Sequence, residues 1–177
     1  TEAFLESTHE VYRKHFGGEF GKTIKYLFTD EPQLAAPYAY TEGIEEIFFG
    51  EYGYDMLEEL WRFAFETRGF SKFHFDYRSL VSKLFHRNYT QKVAEWCKKN
   101  NLCMTGHFAC EENTVTLNLN GGPMNGYESM QVPGIDAIGR RRSPDTLFEQ
   151  AVGAKNIFEK SDVLSETFGC SGWGTTF

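Results

Sequence analysis

At 177 residues, 41% hydrophobic and 16% aromatic, the chain can bury one sizeable core; this excludes disorder as its main state and fits one domain rather than two. A formal charge of −7 argues against a nucleic-acid-binding face, which is normally basic, and no run of about 18 apolar residues exists to cross a membrane. Residues 1–10 lack the basic start and apolar stretch of a signal peptide, while an opening Thr1 reads as a processed or cut piece, so a lost leader stays open.

Phe4, Leu5, Thr8, Val11, Tyr12 and His15 recur at three- and four-residue steps before Gly17-Gly18, which predicts a helix and its stop. Thr23 to Thr29 is β-branched and aromatic and runs into Asp30-Glu31-Pro32, a strand that delivers two carboxylates at its end. A loop is expected as far as Tyr52, then a helix over 56–66. Asp76 to Lys99 predicts the longest helix, striped by Leu80, Leu84, Val93, Trp96 and Cys97. Leu102 to His107 reads as a buried strand, and Asn118 to Gly126 as a Gly- and Asn-rich loop. Val132 to Asp136 is a weaker strand because it holds Pro133 and Gly134. Ser143-Pro144 predicts an N-cap and first turn for a helix through Leu147, Phe148, Ala151 and Phe158, and Asp162 to Glu166 a fourth strand.

Helices alternating with strands predict a parallel α/β fold, whose C-terminal strand ends share one face. Here those ends are Asp30/Glu31, Gly106/His107, Asp136 and Ser165/Glu166. Cys97, Cys103, Cys110 and Cys170 include no C-x-x-C pair and are expected to be buried free thiols.

A carboxyl group at the end of an apolar strand can face a pocket, where low dielectric suits it to general acid work; a pair of solvated loop acids is the plain alternative for Asp30 and Glu31. Glu166 at another strand end would complete the two-carboxylate pair that glycoside hydrolysis needs. His107, after Thr105-Gly106, favours substrate contact over metal, since zinc wants several nitrogen or sulfur ligands. Asp136 either bonds a sugar hydroxyl or caps a turn. The remaining histidines read as structural or exposed, and Arg140-Arg141-Arg142 as a solvated run. Tyr52, Tyr54, Tyr77, Tyr127, Phe168 and Trp173, in loops or near element ends, could offer flat faces to sugar rings.

In order along the chain, Phe28-Thr29-Asp30-Glu31-Pro32, Tyr52-Gly53-Tyr54-Asp55, Trp96-Cys97, Thr105-Gly106-His107, Pro133-Gly134-Ile135-Asp136 and Ser165-Glu166-Thr167-Phe168-Gly169 with Trp173 resemble the catalytic barrel of α-L-rhamnosidase-type glycoside hydrolases and their relatives. The resemblance implies a (β/α)8 barrel, of which residues 1–177 would supply about strands 4 to 7. It implies Glu31 as general acid and Glu166 as general base, with inversion, or as nucleophile if the configuration is retained. It further implies substrate contacts from Asp30, Tyr54, His107, Asp136, Phe168 and Trp173. Enzymes of this type can use Ca2+ to hold sugar hydroxyls; the resemblance assigns no ligands for it here.

A complete barrel takes about 250 residues, so the chain is expected to be part of one and inactive alone. Remaining barrel segments of a parent chain, or a second copy, would cover its open strand edges. A metal-dependent hydrolase built on Asp30, His107, Asp136 and Glu166, and a non-catalytic carbohydrate-binding relative, are the competing readings. Compartment is open: free thiols favour the cytoplasm, whereas polysaccharide-degrading relatives are often exported.

Overall fold

The computed structural model describes residues 1–34, 38–65, 71–138, 145–170 and 172–174. Four parallel strands, β1 (Tyr26–Thr29), β2 (Cys103–Gly106), β3 (Val132–Ala137) and β4 (Leu164–Thr167), pair in sequence order. They curl into half a barrel. Each crossover is helical, as parallel pairing demands.

The first helical stretch is broken at Thr8 into α1 (Glu2–Ser7) and α2 (His9–Phe16). The expected loop before Tyr52 instead contains α3 (Ile44–Tyr52), whose Ile44 and Phe48 are fully buried. That i, i+4 pair explains the helix: it gives the segment an apolar stripe to bury. The helix expected over 56–66 shrinks to a 3₁₀ turn at Leu57–Glu59 and the single turn α4 (Arg62–Phe65). The long helix runs from α5 (Lys72–Phe85) through a π-helical stretch, His86–Gln91, into α6 (Lys92–Lys99). The expected Gly- and Asn-rich loop folds into the short helices α7 (Thr116–Leu119) and α8 (Pro123–Tyr127), with Pro123 in the first turn where its missing N–H costs nothing. After β3 comes α9 (Asp145–Ile157). The predicted cap at Ser143-Pro144 and the run Arg140-Arg141-Arg142 lie outside the described residues.

The main core lies between sheet and helices: Met104 of β2 meets Val93 and Cys97 of α6, together with Phe108, Tyr127 and Met130. Fully burying side chains of this size contributes about 1.5–3 kcal/mol each. A second cluster joins α3 to α5 through Phe48, Phe73, Tyr77 and Leu80, and a third seats α9 on Ile135 and Ala137 of β3. No helix among the described residues is long and apolar enough to cross a membrane.

β3 is well buried despite Pro133 and Gly134. A Cβ at position 134 would stand 2.5 Å from the Gly106 carbonyl oxygen, so glycine is what lets the strands approach. All four cysteines are free, but only Cys97 is buried; Cys103 and Cys110 are half-buried and Cys170 is exposed. The thiols off the core belong to elements at the sheet's open face and its ends, which corrects the expectation of four buried ones.

Candidate active site at the strand ends

Strand register decides which side chains meet. Phe28 pairs with Thr105, Thr105 with Val132, and Asp136 with Glu166. With alternation of two along each strand, Tyr26 and Phe28, Thr105 and His107, Gly134 and Asp136, and Leu164 and Glu166 fall on one face. Leu27 and Met104 fall on the other, against the helices. The first set forms the concave face of the half-barrel.

At its C-terminal rim, four of the predicted residues, Asp30, Glu31, Asp136 and Glu166, come together around a fifth, His107, which is 1% exposed. Its Nε2 lies 2.7 Å from Glu166 Oε2 and 3.8 Å from Asp30 Oδ1. A carboxylate oxygen can only accept, so Nε2 carries the hydrogen. Nδ1 is buried and, like Thr105 Oγ1 on the same face, has no hydrogen-bond partner among the described residues. The Phe28 ring packs edge-on against the imidazole, with centroids 5.4 Å apart. Main-chain bonding fixes the rim as well: the His107 N–H donates to the Thr29 carbonyl at 3.3 Å, and the Thr29 hydroxyl bonds Tyr89 at 2.8 Å.

Glu31 is exposed and held at φ 45°, a left-handed conformation that costs a non-glycine residue about 1 kcal/mol. One ligand atom each from Glu31, His107 and Asp136 lies within 4.8 Å of the others. Glu166 joins this group through its 2.7 Å contact with His107. Two carboxylates and one imidazole so close could hold a divalent ion with water completing its shell, but exposed acidic groups commonly lie this close without one, so the trio alone does not make a metal site. Asp136 caps its own turn, with Oδ1 accepting from the Ile138 N–H at 3.0 Å.

The aromatics distribute differently. Tyr54 donates its hydroxyl to Asp76 at 2.9 Å, lies under the Lys72 ammonium and packs edge-on to Phe48, so its contacts are with α3 and α5. Burial, and next the Asp76 hydrogen bond, push its phenol well above the usual range. Phe168 follows β4 at φ 65° and is exposed, and Trp173 is fully exposed. Tyr127 is entirely buried in the core.

Sequence reasoning missed Glu111, which is 5% exposed. Its Oε1 accepts the Asp136 N–H at 2.5 Å and its Oε2 faces the Phe108 N–H at 3.3 Å. Burial raises its carboxyl above the ordinary value, although its hydrogen bonds with the Tyr127 hydroxyl and the Asp136 and Phe108 N–H groups and the proximity of His107 pull the other way. In the sequence it is one of two adjacent acids after Cys110, with no apolar period to mark it. Two cavities, of about 890 and 450 Å³, are lined by helical-layer residues such as Ser82, His86 and Asn125 or Thr116, Pro123 and Gln150; Glu31, His107 and Glu166 line neither.

No protein-family model matches the sequence, and no curated protein does. Among solved structures, a rhamnosidase from Novosphingobium sp. PP1Y superposes with a TM-score of 0.75 at 19% identity, over 98% of this chain and 17% of that one. At that identity the likeness speaks for the fold. The chain spans about a sixth of the neighbour's length.

Proposed function

We propose that the chain carries the catalytic strand ends of a glycoside hydrolase that removes a terminal deoxy-sugar such as α-L-rhamnose with inversion. The observation that carries this reading is the placement of Glu31 and Glu166 around one buried imidazole on the concave face of parallel strand ends. Likeness in fold to a rhamnosidase supports it.

In this mechanism Glu31, exposed at the rim, gives its proton to the glycosidic oxygen as the bond to the anomeric carbon breaks. Glu166 takes a proton from the water whose oxygen attacks that carbon from the opposite side. His107 holds the Glu166 carboxylate in one orientation by donating from Nε2, which leaves the other oxygen free to accept from water. Asp30 and Asp136 stand beside the ring to bond sugar hydroxyls, and Phe168 and Trp173 offer exposed aromatic faces to sugar C–H groups. Residues 1–177 correspond to about strands 4 to 7 of the barrel, and the remaining segments of the parent chain close it over the sugar.

The test is a screen of the intact parent protein against aryl glycosides, α-L-rhamnoside included, with Glu31→Gln and Glu166→Gln beside it. Loss of roughly three or more orders of magnitude in kcat for both variants is expected, the scale on which catalytic groups act. Turnover by Glu31→Gln equal to that of the unmodified protein on every substrate would sink the assignment. The anomer first formed, followed by NMR, distinguishes inversion from retention.

A further inference from the structure

The Tyr127 hydroxyl stands between two acceptors: Glu111 Oε2 at 2.7 Å and the Gly134 carbonyl oxygen at 2.6 Å. A phenol has one proton, and a carbonyl cannot donate. Both short contacts are satisfied together when Tyr127 donates to Gly134 and receives a proton from the Glu111 carboxyl. Glu111 Oε1 then serves as the acceptor for Asp136 N–H. The chain of bonds runs Glu111 to Tyr127 to Gly134, wholly buried, and ties the segment after β2 to β3 and α8.

We propose that Glu111, as the neutral acid, is a positioning residue for the strand-end site. It holds the main chain at Asp136 and at Phe108, the neighbour of His107, while Tyr127 fixes it from behind. A charged carboxylate here would bring a full negative charge into a buried site and leave Tyr127 with one proton for two acceptors. Among the described residues, the groups facing Glu111 are Tyr127 from α8, His107 at the end of β2, Asp136 on β3, and the uncharged amide of Gln150 on α9, which lines the same cavity. Tyr127 does not compete for the charge, since its burial and the adjacent acid push its own ionisation far up. The direction for Glu111 agrees with the proton count, because burial acts on it more strongly than its hydrogen bonds. The consequence for catalysis rests on the glycoside-hydrolase reading; the clamp itself does not.

Glu111→Gln separates the clamp from a charge role. A glutamine matches the neutral acid at two of its three contacts, with its carbonyl placed for the Asp136 N–H and its amide N–H for Tyr127, and gives up only the long 3.3 Å contact from the Phe108 N–H, which an amide nitrogen cannot accept. In the unmodified chain at pH 7, an infrared carbonyl band of a protonated carboxylic acid is expected, and it is lost in Glu111→Gln. Hydrogen exchange at the Asp136 amide stays slow in Glu111→Gln and quickens by about tenfold or more in Glu111→Leu, the scale of one lost buried bond. If Glu111→Leu fails to fold, Tyr127→Phe serves: it removes the acceptor of the acid proton, so the band moves to higher frequency and Asp136 exchange rises. In the active parent protein Glu111→Gln loses less kcat than Glu111→Leu, and Tyr127→Phe lowers kcat more than it changes KM. No acid band at pH 7, or Asp136 exchange as fast in Glu111→Gln as in Glu111→Leu, overturns the proposal whether or not the protein cleaves any glycoside.

Discussion

His107 Nε2 and Glu166 Oε2 stand 2.7 Å apart, one side chain almost wholly buried and the other partly open to solvent. The buried partner cannot reorient, so it sets the direction of the exposed one. In the intact parent protein, on the proposed glycoside-hydrolase reading, His107→Ala is therefore expected to lower kcat by about 100-fold with little change in KM, the scale of a misaligned reacting group. A KM rise with kcat intact would show instead that His107 serves ground-state binding alone.

Gly106 sits at φ 133°, and a Cβ there would meet the Thr29 carbonyl oxygen at 2.0 Å and the Thr29 nitrogen at 2.8 Å. Both obstacles are main chain of β1, so neither can move without breaking the β1–β2 ladder. Gly106→Ala should cost at least about 3 kcal/mol, read as a lower midpoint in urea unfolding. A midpoint within error of the unmodified chain would mean the rim tolerates a strand shift that the close packing at Thr29 forbids.

The four strands were legible because each lies in a short, largely apolar run ending in polar residues, and their parallel pairing follows from the helices between them. α3 was hidden by Gly43, Gly50 and Gly53, which read as loop punctuation although the outer two bracket a helix. The rim residues announced themselves by position, since an acid or histidine directly after an apolar run has one place to go in a parallel sheet. Glu111 had no such mark: its role depends on Tyr127 and Asp136, at 16 and 25 residues' remove, meeting it in space. Tyr54 shows the converse, an aromatic whose sequence setting fits a sugar platform while its hydroxyl is engaged by Asp76.

Tyr26 and Phe28 on β1 are exposed on the concave face, and β1 and β4 each have one edge with no paired strand among the described residues. An apolar parallel edge is a template for further pairing. The 177-residue chain by itself should show an apparent mass that rises with concentration in light scattering, and Tyr26→Lys, which places a charge on that strand, should hold it closer to monomer. A strictly monomeric chain at every concentration would count against open edges that need a covering segment.

His86 begins the π-helical stretch, buried between Phe85 and Phe108 with Nδ1 bonded to the Thr90 hydroxyl at 3.1 Å. Burial depresses its pKa to about 4, against a smaller opposing pull from the Asn120 and Gly122 carbonyls. A histidine held neutral in the fold but free to protonate when unfolded contributes stability that is fully present above its ordinary value near 6.5 and is lost as pH falls toward 4. Over that window His86 accounts for roughly 3 kcal/mol of lost stability. His9, also lowered by burial, adds in the same sense. Glu111 has the opposite sign, its contribution present below the ordinary carboxylate value and lost as pH rises through its raised one. Urea midpoints measured at pH 7, 6, 5 and 4 should therefore fall less steeply for His86→Leu than for the unmodified chain, even though the variant starts lower at pH 7 from lost packing. Parallel curves for the two proteins would mean that His86 protonates in the fold as readily as in water.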